Sequence, residues 1–133
     1  MTPPQEELPP LKVLLTHLEW NLKRMEEFQK EQKTDYFRDA ALQRYGFTFD
    51  SALKCIRAGA HLQNLQCETA EECFGLAKRQ NWLEPNIDWQ EMVTAHAKMN
   101  PASLPEHADT IYEKLRTFQS QLKNLYHSLA QLA

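Results

Sequence analysis

Apolar residues recur at spacings of three and four through most of this chain, and nowhere alternate with period two for long enough to argue a sheet. Leu11, Leu14, Leu15, Leu18, Leu22, Met25 and Phe28 form a first stripe, with Glu26, Glu27, Lys30 and Glu31 on its wet side. They predict a helix over residues 11 to about 33. Thr34 stands where an N-cap belongs, and a second helix is predicted from about residue 35 to about 58, with Gly59 as its stop. Its apolar face is Leu42, Tyr45, Phe49, Leu53 and Ile56. Gly46 lies near its middle, where glycine costs ~1 kcal/mol relative to alanine. Close approach of a neighbouring helix, or simple tolerance, accounts for it.

Two shorter helices follow. Thr69 with Glu72 is a capping-box pattern ahead of a buried face of Cys73, Phe74 and Ala77. Asp88 with Glu91 repeats it ahead of Trp89, Met92, Val93 and His96. The segment Asn100 to Pro105 breaks that helix, and Ser103 with Glu106 makes a third box, with Pro105 tolerated in the first turn. Ile111, Leu115, Phe118, Leu122, Leu125, Leu129 and Leu132 then alternate by four and three. Such a seam serves within a bundle or between chains, and periodicity does not distinguish the two. The pattern predicts an all-α protein: an antiparallel, up-and-down bundle of four to five helices over residues 11–133. Residues 1–10, with four prolines, predict a flexible tail.

Composition narrows the function. With 15 basic and 18 acidic residues, the formal charge of -3 disfavours a mainly electrostatic grip on nucleic acid. Cys55, Cys67 and Cys73 form no C-x-x-C pair, and their odd number fits a reducing compartment better than a disulfide scaffold. The acidic, proline-rich start lacks the basic and apolar regions of a secretory signal. No apolar run approaches the roughly 18 residues of a membrane span. A soluble cytoplasmic protein is expected.

Cofactor and metal signals are missing too. His17, His61, His96, His107 and His127 have no cysteine or acid at zinc-ligand spacing, and there is no G-x-G-x-x-G or P-loop. Asp35 and Asp39, one turn apart, could share a cation but more simply favour the positive end of the second helix. No metal and no cofactor are expected. Arg57 and His61 straddle Gly59 and read as surface residues.

The segment from Arg38 to Arg57, RDAALQRYGFTFDSALKCIR, carries more polar and aromatic variety than a plain core helix needs. It resembles the R-D-x-x-I-Q-R-F-E-F-T-F-E-x-A-W-K pattern of the nucleotidyltransferase substrate-binding protein family, a branch of the HEPN helical bundles. The matching residues are Arg38, Asp39, Leu42, Gln43, Arg44, Tyr45, Phe47, Thr48, Phe49, Ala52 and Lys54. Gly46 replaces the usual acidic residue, and Leu53 the common tryptophan. Trp89 and Met92 match a later W-x-x-M element, and Ile111, Tyr112 and Glu113 an I-Y-E element. The resemblance covers about residues 11–127.

The resemblance implies an all-helical bundle, usually a homodimer, working with a separate small nucleotidyltransferase that carries the transferase carboxylates. The two look like halves of a larger transferase or like a toxin–antitoxin pair. In the pair reading the bundle is a ribonuclease, and RNA is its substrate. That activity needs an arginine, then a polar residue, and a histidine four to six residues after the arginine. The arginine can neutralise the scissile phosphate while the histidine moves a proton. Counted from Trp89 and Met92, His96 falls at the arginine position, Ala97 at the polar one and Pro101 near the histidine. The motif is therefore absent at its expected place. His96, Lys98 and His107 are the only weak catalytic candidates, across a proline-rich break.

The expectation is thus a noncatalytic binding subunit that dimerises and associates with a small nucleotidyltransferase, with Arg38, Asp39, Gln43, Arg44, Tyr45 and Phe49 as its binding residues. A HEPN-type ribonuclease with a degraded or rebuilt site is the alternative. A structural protein that keeps only the fold is a third reading.

Overall fold

The computed structural model describes residues 9–133; part of the proline-rich tail, residues 1–8, lies outside the described residues. Five helices follow in order: α1 Leu11–Gln29, α2 Asp35–Leu62, α3 Ala70–Arg79, α4 Trp89–Ala97 and α5 Leu104–Ala130. The protein is an all-α bundle, as its apolar periodicity requires. The long helices α1, α2 and α5 pack against one another, while α3 lies on α2 and carries α4.

The caps explain most of the boundaries. Thr34 accepts the Phe37 N–H, Thr69 the Glu72 N–H and Asp88 the Glu91 N–H. Each satisfies a donor that the first helical turn leaves free. The box expected at Ser103 does not form, because Asn100 Oδ1 already accepts the N–H groups of Ala102 and Ser103 at 3.1 and 3.0 Å. The first helix ends at Gln29, a turn before the expected 33. The second passes straight through Gly59 to Leu62. Asn64, at φ 60°, makes the left-handed turn that Gly59 was expected to make, and Leu65 N–H reaches back to Ala60 O at 2.8 Å. Asn81, at φ 63°, ends α3 in the same way, with Trp82 N–H on Ala77 O. Gly59 instead lets two side chains close in: a Cβ there would lie 3.0 Å from Leu129 Cδ2 and 3.2 Å from Trp82 Cη2.

The α5 seam points inward. Leu115, Phe118, Leu122, Leu125 and Leu129 have no exposed surface and join Leu18, Met25, Leu42 and Ile56 in one core. An aromatic column crosses this core. Phe118 stacks on Tyr45 at 5.3 Å, Tyr45 tilts towards Phe49, and Phe49 stacks on Phe74 at 5.2 Å. It links α5, α2 and α3 and extends to Trp89 of α4. Thr48, fully buried, donates to Arg44 O at 2.7 Å, so its hydroxyl adds no unpaired polar group.

The cysteines differ from the expectation. Cys67 and Cys73 are joined in a disulfide, their Cα atoms 5.1 Å apart, and only Cys55 is free and buried. The link between α2 and α3 turns back so that Cys67 meets the first turn of α3, a proximity that an x5 spacing does not announce. Among the described residues no helix is long and apolar enough to cross a membrane.

Candidate functional site

The core claims one face of α2 and leaves the opposite one open. Tyr36, Asp39, Gln43, Phe47, Asp50 and Lys54, three or four residues apart, are all exposed. Beside them α1 exposes Val13 and Trp20. Trp20 is 51% and Phe47 47% exposed, unusual for such large apolar groups.

Arg44 holds these two rings. Its guanidinium carbon lies 5.2 Å from the Trp20 ring centre and 5.3 Å from that of Phe47, and its Nη1 donates to Asn21 Oδ1 at 3.2 Å. A cation over an aromatic face contributes ~0.5–1 kcal/mol at exposed sites. Arg24 adds a further contact on Trp20 at 5.2 Å. Arg44 Nε is buried and has no hydrogen-bond partner among the described residues. The arginine thus fixes an exposed aromatic pair rather than reaching out itself.

Two hollows flank α2. One, of about 470 Å³, lies against α1 and is lined by His17, Trp20, Asn21 and Lys54. The other, of about 620 Å³, lies against the link between α4 and α5 and is lined by Tyr36, Asp39, Gln43, Gly46, Met99 and Leu104. Phe47 and Asp50 line both and form the ridge between them.

Asp50 also meets α4. His96 Nε2 lies 3.3 Å from Asp50 Oδ1, and its ring stacks on Phe49 with centroids 4.1 Å apart. Burial pushes the His96 pKa below the ordinary 6.5, and the nearby Asp50 carboxylate only partly opposes this. A neutral imidazole packed on an aromatic ring is a poor substitute for a phosphate-binding arginine. Lys98 and His107 line a different hollow, of about 350 Å³, together with Asp88, Glu91 and Lys114. His96 is not part of it, so the three weak catalytic candidates do not share one cleft. No cluster of three histidine, cysteine or acidic side chains suited to a metal occurs among the described residues.

The expected binding residues divide into three groups. Asp39 and Gln43 are exposed on the open face. Arg38 is engaged within the chain, with Asp39 at 3.0 Å, Asp109 at 3.2 Å and Asp35 at 3.7 Å, while Arg44 is the aromatic clamp. Tyr45 and Phe49 have no exposed surface and belong to the core. Their expected place at a binding face is corrected by helix geometry: they fall on the Leu42 and Ile56 side of α2.

The model of the family "Nucleotidyltransferase substrate binding protein like" matches residues 11–131, nearly the whole chain. The chain belongs to this family. No curated protein matches it. The family match spans all five helices of this nucleotidyltransferase substrate-binding-like protein, so the open α2 face lies within the family's fold and is no appendage to it. Sequence reasoning missed Trp20 and the exposure of Phe47. The signal was there: Trp20 falls outside the Leu18 and Leu22 stripe, and Phe47 outside that of Tyr45 and Phe49.

Proposed function

We propose that this protein is a noncatalytic binding subunit that dimerises and associates with a separate small nucleotidyltransferase, as the substrate-binding half of a transferase or as one component of a toxin–antitoxin pair. The observation that carries this reading is the aromatic pair Trp20 and Phe47, exposed and clamped by Arg44, in a chain of this family. Rigid aromatic side chains that keep their apolar area in water suit a protein interface, where aromatic and arginine anchors dominate binding. Supporting it, His96 packs on Phe49 and does not line the hollow that Lys98 and His107 share, so the weak catalytic candidates are not gathered in one cleft.

Co-purification with a small nucleotidyltransferase-domain protein tests the reading. Capture by the wild-type chain and loss of capture with Trp20→Ala are expected. RNA cleaved by the purified chain, and spared by His96→Ala or His107→Ala, would instead establish the ribonuclease alternative.

A further inference from the structure

We infer that the bond between Cys67 and Cys73 is a redox-sensitive latch: a dithiol reductant opens it in the folded chain, and its state sets how firmly α3 and α4 are held on the bundle. The latch acts apart from the function proposed above and needs no transferase.

The bond secures the two shortest helices. α1, α2 and α5 have 19, 28 and 27 residues, whereas α3 and α4 have 10 and 9. Helices that short are marginal on their own in water. Cys67 sits in the link between Leu62 and Ala70, and Cys73 in α3, so the bond pins the link to the start of that helix. Two further polar ties of the link are exposed: Arg57 Nη2 donates to Glu68 O at 2.6 Å, and Glu68 N–H to Glu72 Oε2 at 3.4 Å. Water can replace either. Phe74, Leu76 and Ala77 of α3 are buried and keep the helix seated once the bond is open. Opening is therefore local and reversible, as in short segments that loosen without global unfolding. It reaches α4 through Trp89, which stacks on Phe74, and so loosens His96 from Phe49 and Asp50.

The bond is approached from one side. Cys67 is 8% exposed and lies between the exposed Gln66 and Glu68, whereas Cys73 has no exposed surface. A thiolate of the reductant attacks Cys67 Sγ, the bond between the two cysteines breaks, and Cys73 leaves as a thiolate that takes up a proton. The second thiol of the reductant then attacks the reductant's own sulfur in the mixed disulfide. Cys67 is released and takes up a second proton, and the reductant departs as a disulfide. The protein gains two electrons and two protons. Cys55 takes no part. It is buried in α2, and burial pushes its thiol pKa up to about 12, so it stays protonated and unreactive. The bond thus answers to an external dithiol and not to exchange within the chain.

Hydrogen exchange of the purified full chain, read by mass spectrometry before and after treatment with dithiothreitol, tests this. Alkylation after denaturation counts the thiols. The count is expected to rise from one to three in native buffer, without denaturant. Amides of α3 and α4 are then expected to exchange about tenfold or more faster, while those of α1 and α5 keep their protection. Reoxidation is expected to restore the first pattern. The double variant Cys67→Ser with Cys73→Ser is expected to show the reduced pattern without reductant and to ignore it when added. The latch is overturned by a bond that resists dithiothreitol until the chain is unfolded, or by α3 and α4 exchanging alike in both redox states. Loss of protection in all five helices on reduction overturns it too, since the bond would then hold the whole fold. So do Cys67 and Cys73 that stay as thiols in oxidised glutathione.

Discussion

His96 lies almost flat on Phe49, their ring planes 16° apart, and this packing sets how the histidine titrates. Its folded-state pKa is below 6.5, because burial outweighs the Asp50 carboxylate. Below pH 6.5 the unfolded chain therefore takes up a proton on this residue that the folded chain resists. The contribution is fully present above 6.5 and lost as pH falls towards the folded value. Chemical denaturation across pH 5–8 is expected to show stability falling on the acid side, with a shallower fall for His96→Phe.

Tyr45 donates its hydroxyl to Met92 O at 2.8 Å and ties α4 to the centre of the bundle. Burial raises its pKa far above the ordinary value, so it remains a neutral donor at any pH the fold survives. Tyr45→Phe keeps the ring and removes the bond. A loss of ~1 kcal/mol is expected in denaturant titration.

The two helical glycines of α2 should respond in opposite ways to alanine. At Gly46 the added methyl meets only the end of the flexible Met99 side chain, and the gain in helix propensity is ~0.5–1 kcal/mol. At Gly59 it meets the buried Leu129 and Trp82 at 3.0 and 3.2 Å, where overpacking costs ~1–3 kcal/mol. Thermal unfolding is expected to show a higher Tm for Gly46→Ala and a lower one for Gly59→Ala.

Reduction of the bond between Cys67 and Cys73 should loosen the start of α3. The closed loop is short, with a sequence separation of 6, and the chain-entropy effect of cross-linking it is ~2 kcal/mol. Stability is expected to fall by about that amount in reductant. Alkylation of the unreduced, denatured chain is expected to label Cys55 alone.

These cases also show what the sequence could tell. The α1 and α5 stripes and the caps at Thr34, Thr69 and Asp88 were legible, because each rests on residues close together in the chain. Gly59 was misread as a stop because its true role, room for Leu129 and Trp82, depends on residues 70 and 23 positions away. The arginines were legible as important but not in their direction. Arg38 turns to Asp109 of α5, and Arg44 turns to Trp20 of α1. A stripe says which side of a helix packs; it does not say which neighbour answers each charge. The disulfide was hidden for the same reason, since only the turn after α2 brings Cys67 to Cys73.

In the function proposed above, this bundle binds a nucleotidyltransferase and leaves the chemistry to it. The most direct measurement is a calorimetric titration of the purified chain with a small nucleotidyltransferase-domain protein, for the wild type and for Trp20→Ala. Saturable binding by the wild type, weakened about tenfold or more by loss of the indole, is the expected result. No binding by a folded wild-type chain that itself cleaves RNA would contradict the account.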